Sequence, residues 1–270
     1  MNALRTTVAA LALALFTAGS ALAGPPLETD DAGTVDVGKV EIELNGSTMF
    51  NKEKTSGVTE KTTASDGSVK ITTGLYKALG ISLEVPYTFS DRTREDGQLV
   101  GKADGFGDMT LEVKYAFAEL AGINFAIKPT LIMPTGKYSA GLSEGRWQPG
   151  VVLIATKEFE DGTYALHANI GYEHHAYRLD EAREALRSNI WSASVAGEVE
   201  VMKGLFAVAD FGLKSSENKE GYGSTELPIY ALTGARYEIN DFLDVNAGVK
   251  VGLTKAEDDV TVLYGVVLKF

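Results

Sequence analysis

The chain has 270 residues, 44% hydrophobic and 23% charged, a balance that excludes intrinsic disorder. A formal charge of −12 argues against partners recognised through phosphates, so nucleic acid is not expected, and the absence of cysteine excludes disulfide scaffolds, thiol catalysis and cysteine-ligated metals. After residue 23 no apolar run reaches the roughly 18 to 20 residues of a membrane-spanning helix.

Met1 to Arg5 is positively charged, Thr6 to Phe16 is a short apolar core, and Ala21-Leu22-Ala23 offers small residues at a cleavage site. Residues 1–23 therefore read as a cleaved export signal. Gly24-Pro25-Pro26 ends any helix, and residues 24–38 show no periodicity. This N-terminal periplasmic segment is expected to be either a disordered leader or a plug.

From residue 39 onward the pattern has a period of two. Twelve strands are predicted near 39–50, 67–78, 81–91, 107–118, 122–133, 149–160, 163–175, 188–200, 203–214, 226–239, 242–254 and 259–270. In the eleventh, Leu243, Val245, Ala247, Val249, Val251 and Leu253 share one parity, and Asp244, Asn246, Gly248, Lys250, Gly252 and Thr254 share the other. Connections alternate between tight turns (78–81, 119–122, 160–162, 202–204, 240–241) and mostly longer polar loops (51–66, 92–106, 134–148, 176–187, 215–225, 255–258).

A soluble sandwich or lipocalin-like barrel also alternates, but its apolar face must fill an interior, leaving the charged parity outside. An even number of strands, each about eleven residues long, with tight turns at one end and long loops at the other, instead predicts an all-β fold. The expected form is a single transmembrane antiparallel up-and-down β-barrel over 39–270, with short periplasmic turns and longer extracellular loops. Aromatic residues on the apolar parity near strand ends imply two interfacial girdles: Phe117, Phe125, Phe159, Tyr164 and Tyr237 at the tight turns, and Phe50, Phe89, Tyr172, Trp191 and Phe211 towards the loops. The last strand ends in Phe270, which resembles the assembly signal of bacterial outer-membrane proteins. The expected partners are outer-membrane lipid, the barrel-assembly machinery and a small-molecule solute, with no expectation about oligomeric state.

The opposite parity lines a lumen, with Lys70, Lys114, Lys128, Arg236 and Lys250 against Glu41, Glu43, Glu84, Glu112, Glu198, Asp210 and Asp244. Mixed signs predict cross-strand ion pairs, and the acidic excess predicts mild cation preference. Twelve strands imply a narrow or plugged bore.

Gly141-Leu142-Ser143-Glu144-Gly145 has nucleophile-elbow spacing but lies in a predicted loop and reads as chance. His174 and His175 are adjacent on a strand and face opposite ways, so no metal site is expected, nor any cofactor. His167 and Asn169 point inward, with Ser192 and Ser194 inward on the next strand; these are the parts of an acyl-transfer site and support a hydrolase as runner-up. In loop 176–187, Asp180 is expected to cap a short helix through Arg187, either a solvated loop helix or a flap.

Three stretches resemble a family named for the meta pathway of phenol degradation: Pro26-Leu27-Glu28-Thr29-Asp30-Asp31-Ala32-Gly33-Thr34-Val35, Gly105-Phe106-Gly107-Asp108-Met109, and Met133-Pro134-Thr135-Gly136. The resemblance covers essentially all of the chain after the signal. It implies an outer-membrane barrel for small molecules, aromatic or hydrophobic ones included, and brings no catalytic residues with it. The leading expectation is accordingly a channel or uptake barrel rather than an enzyme; a non-transporting structural barrel is the third alternative.

Overall fold

The computed structural model describes residues 24–55 and 57–270, so the export signal expected at 1–23 lies outside the described residues. The strands are β1 (Val40–Thr55), β2 (Val58–Tyr76), β3 (Leu79–Glu95), β4 (Gln98–Phe106), β5 (Met109–Leu120), β6 (Ile123–Met133), β7 (Gln148–Phe159), β8 (Tyr164–His174), β9 (Asn189–Met202), β10 (Leu205–Lys214), β11 (Ile229–Asn240), β12 (Leu243–Gly252) and β13 (Val260–Lys269). All pairings between them are antiparallel. β13 returns to β1 in the register Glu41↔Lys269 through Phe50↔Val260, which closes the sheet on itself.

The closed wall has twelve staves, because β4 and β5 lie end to end along β3. β4 pairs with its outer half (Tyr87↔Phe106 to Glu95↔Gln98) and β5 with its inner half (Leu79↔Tyr115 to Glu84↔Thr110). The break falls at Gly107-Asp108. Gly107 N–H donates to Pro86 O (3.1 Å), Gly136 N–H donates to Asp108 Oδ1 (2.8 Å), and Met109 N–H donates to Thr135 Oγ1 (2.9 Å). Two of the three family-like stretches thus form one junction that ties the interrupted stave to the end of β6.

Two expected loops are strand instead. Residues 51–66 and 92–106 mostly continue β1, β2, β3 and β4 as two long hairpins. Asp96 (φ 45°) and Gly97 (φ 88°) both occupy the left-handed region, as a two-residue hairpin turn requires. Beyond the lipid both faces meet water, so Lys, Glu and Thr fill both parities and the alternation that marks a strand disappears. Ala121 (φ 55°) and Gly122 (φ 72°) make an equally tight turn between β5 and β6.

The barrel is inverted relative to a soluble protein. Ile170 is 59% exposed on the outer face, whereas Asp244 is 2% exposed inside. Leu83, Leu153, Leu166, Val195 and Val249 are likewise exposed, and Glu198, Asp210 and Arg236 are buried. A continuous apolar exterior of this extent needs hydrocarbon around it. The exposed Phe117, Tyr164 and Tyr237 stand towards the tight-turn end, and Phe50, Phe89, Trp191 and Phe211 towards the other. Phe270 is exposed at the seam, where its N–H donates to Val40 O (2.8 Å) and Val40 N–H donates to Phe270 O (3.1 Å).

The loop after β8 carries helix α1 (Asp180–Ala185). Asp180 does not cap it: Leu179 occupies the cap position without a side-chain bond, and Asp180 pairs instead with Arg183 one turn on. Arg187 turns away, its Nε–H donating to Asn218 O (3.0 Å).

Candidate functional site

Residues 24–38 run through the barrel interior, held by inward side chains of six or more strands. Asp210 on β10 accepts Glu28 N–H (2.9 Å), Thr29 N–H (2.8 Å) and the Thr29 hydroxyl (2.8 Å), and also the hydroxyl of Tyr230 on β11 (3.2 Å). Thr29 Oγ1 also hydrogen-bonds Ser194 Oγ on β9 (2.7 Å). The Asn169 amide, turned with its nitrogen towards Asp30 O (2.9 Å) and its oxygen towards Asp30 N (2.7 Å), reads the backbone as a neighbouring strand would. Further on, Ala32 N–H donates to Thr156 Oγ1 on β7 (2.9 Å). Gly234 and Gly248 leave room for the Pro26 ring, which lies where their Cβ atoms would stand.

Asp30 is the electrostatic anchor. Lys114 on β5 reaches its Oδ1 (2.7 Å) and Lys128 on β6 its Oδ2 (2.9 Å). Lys70 on β2 stands behind them, paired with Glu112 (2.7 Å), which also meets Lys128 (3.5 Å). Burial alone would push the Asp30 carboxyl up, but Lys114, Lys128 and Lys70 together hold it well below the usual carboxylate range. For Asp31 the balance is reversed: burial pushes its carboxyl up, Lys114 pulls back, and Asp30 adds to the rise, leaving it at about 6.

That rise has a sign. A carboxyl whose docked value lies above its free value favours docking in its neutral form, so its contribution to holding the segment is fully present below about pH 3.8 and is lost as the pH rises to about 6. Amides of residues 28–35, corrected for intrinsic exchange rates, are expected to be better protected from hydrogen exchange at pH 5 than at pH 8. Asp31→Asn should remove the difference; a difference that survives in Asp31→Asn would assign it to another group.

A second cluster stands beside the first. Arg236 on β11 meets Glu198 (3.3 Å), Glu238 (2.6 Å) and Asp244 (3.7 Å), and its guanidinium lies 4.3 Å from the Phe206 ring centroid. Lys269 completes the chain at Asp244 (2.6 Å). Lys250 joins Glu28 (3.4 Å) to Glu257 (3.3 Å). Glu41 and Glu43 face the lumen between the two clusters, and Glu84 faces it further towards the loops.

The inner face is not wholly polar. Ala116, Ala126 and Ile154, flanked by Val152 and Ala78, form a small apolar patch on which Ala32 sits. Phe206, Val208, Ile190 and Leu232 are also buried on the inner parity. The segment leaves a cavity of about 560 Å³ on its loop side, lined by residues that include Glu28, Glu43, Asn45, Glu84 and Glu173. A smaller one of about 170 Å³ lies towards the tight turns, beside Val35, Val37, Ala116, Asn124 and Glu158.

The acyl-transfer residues are not brought together. His167 Nδ1 is 3.0 Å from Thr156 Oγ1, and its Nε2 is 3.8 Å from Glu198 Oε1. Across the β8–β9 ladder it faces Ala196, while Asn169 faces Ser194 and Gly171 faces Ser192. Ser194 is engaged by Thr29, and no hydrogen bond links His167 to either serine among the described residues. Ser143 lies in an irregular loop, accepting Gly145 N–H (2.9 Å), with no strand-to-helix elbow. His175 pairs with Glu173 (2.9 Å) and His174 contacts Asn189, so the two rings have separate partners.

Thr29, Asp30, Asp31 and Thr156 belong to the site and are not among the site residues read from sequence, whereas Lys269 is inward by the parity of the last strand. The signals for the first three are the charge of Asp30-Asp31 and the family-like stretch that holds them; nothing in the sequence marks Thr156.

A closed wall with an apolar exterior, girdled by aromatics and crossed internally by its own N-terminal segment, defines a bacterial outer-membrane β-barrel. Within that class the chain belongs to the family described as "Putative MetA-pathway of phenol degradation", which it matches over residues 28–270. An outer membrane channel from Pseudomonas putida F1 superposes with a TM-score of 0.75 at 16% identity, covering 90% of this chain and 100% of that one. The NanC porin gives 0.59 at 10% identity, covering 85% and 100%, and the KdgM porin 0.53 at 11%, covering 85% and 99%. At such identities these likenesses establish the fold. No curated protein matches the chain in sequence.

Proposed function

We propose that the protein is a passive outer-membrane channel for small solutes and not an enzyme. The observation that supports this best is the polar cavity of about 560 Å³ on the loop side of the N-terminal segment, a space that a purely structural barrel would fill with packed side chains. In this reading residues 24–38 act as the plug that narrows the bore. The outer surface meets outer-membrane lipid, and Phe270 is the feature read by the barrel-assembly machinery. Aromatic and hydrophobic compounds are the solutes that the family name supports. The engaged state of His167 and Ser194 argues against the hydrolase alternative.

Six carboxylates, Glu28, Asp30, Glu43, Glu84, Glu112 and Glu173, face that cavity against Lys70 and Lys128. Refolded protein in planar bilayers is therefore expected to conduct, with a reversal potential in a KCl gradient that favours K⁺. Liposome swelling with small neutral solutes gives the parallel test of flux. The absence of both conductance and swelling would overturn the channel reading in favour of a structural barrel, and anion preference would contradict the role given to the acidic wall.

A further inference from the structure

We propose that Lys114, Lys128 and Lys70, together with the apolar patch Ala116, Ala126 and Ile154, form a binding subsite for small apolar monocarboxylates, a subsite that Asp30 and Ala32 occupy intramolecularly in this structure. The inference rests on the channel reading in one respect: the carboxylate is taken to be that of a passing solute.

The geometry comes from adjacent rows of the inner wall. Lys128 pairs with Val152, and Ala126 with Ile154, in the β6–β7 ladder, while Ala116 pairs with Ala126 in the β5–β6 ladder. The lysine row therefore lies directly above the alanine and isoleucine row. The segment docks with the matching pattern, its Asp30 carboxylate on the lysines at 2.7 and 2.9 Å and its Ala32 methyl on the apolar patch. A carboxylate attached to a compact hydrocarbon body presents the same two features in the same order.

Charge makes the segment's acid more than a convenient partner. Around the cavity where the two ion clusters meet, the wall contributes five cations, Lys70, Lys114, Lys128, Arg236 and Lys269, against the four carboxylates Glu41, Glu43, Glu112 and Asp244. The wall alone is thus cationic, and Asp30 and Asp31 turn it anionic. Among the described residues, Lys114 without Asp30 keeps only the backbone contact with Asp31 O (3.1 Å) among its hydrogen bonds. An incoming carboxylate restores what the departing one removes, and its apolar body takes over the contact that Ala32 gives up. The acidic cavity above the subsite opposes every anion, so bare inorganic anions, which gain nothing from the apolar patch, are disfavoured relative to such a carboxylate.

Benzoate and its neutral counterpart benzyl alcohol are suitable probes, titrated by ligand-detected NMR against full-length protein refolded in detergent. Heat-modifiable gel mobility establishes that each variant is folded. Removing the internal competitor in Asp30→Asn is expected to tighten benzoate binding at least tenfold and leave benzyl alcohol unchanged. Adding Lys128→Met to that variant should abolish the gain. No gain in Asp30→Asn, or an equal gain for both probes, overturns the subsite. Conductance in KCl, recorded on the same preparations, separates the two readings. A conducting protein without the benzoate gain keeps the channel and loses the subsite; the gain without conductance keeps the subsite and loses the channel.

Discussion

Arg236→Met is expected to lower the stability of the refolded barrel by about 3–5 kcal/mol, the cost of removing one partner from a buried ion cluster. The guanidinium is 3% exposed and faces Glu198 and Asp244, both buried on the inner wall; its loss strands Glu198 away from bulk water and leaves Asp244 to Lys269 (2.6 Å). Methionine preserves much of the contact with Phe206, so the effect isolates charge from packing. Urea titration of the protein in micelles measures it. Adding Glu198→Gln to Arg236→Met should return part of the loss, because one stranded charge disappears. A loss under about 1 kcal/mol, within the range of an exposed pair, would mean that water reaches the cluster freely.

The second large effect lies on the opposite face of the wall. Val249→Arg places a guanidinium in the lipid-facing row of β12 and is expected to cost roughly 2–4 kcal/mol. Asn246 points into the lumen on the same strand and borders the large cavity. Asn246→Arg should leave the barrel stable and change its conductance. Equal losses of stability at the two positions would show that the faces are wrongly assigned.

Most of the wall was legible because lipid imposes a rule on single residues. Every second side chain must tolerate hydrocarbon, so Val245, Ala247, Val249 and Val251 reveal β12 without knowledge of its neighbours. The rule lapses where lipid ends, which is why 51–66 and 92–106 read as loops although they continue four strands. The candidate site was half legible for a related reason. Lys114, Lys128 and Glu112 could be assigned inward by parity, but parity does not tell which inward residues converge. Asp30 finds Lys128 across a separation of almost a hundred residues, and His167 finds Thr156 rather than Ser194 because the ladder places them so. The family-like stretches turned out to mark two structural devices, the luminal segment and the junction at Asp108 and Gly136, rather than a reaction centre.

The two long hairpins change what the cell surface presents. A tilted crossing uses roughly 9 to 11 residues of a strand, whereas β2 has 19 and β3 has 17. At about 3.3 Å per residue the remainder extends the ladder by some 20 Å or more along its own direction. One side of the rim is therefore raised into a four-stranded parapet among the sugar chains of the outer leaflet, and the other side stays low. Any large body approaching from outside meets the Asp96-Gly97 tip before it meets the mouth. The residues that stand farthest out from the membrane are thus physically separate from those that line the bore.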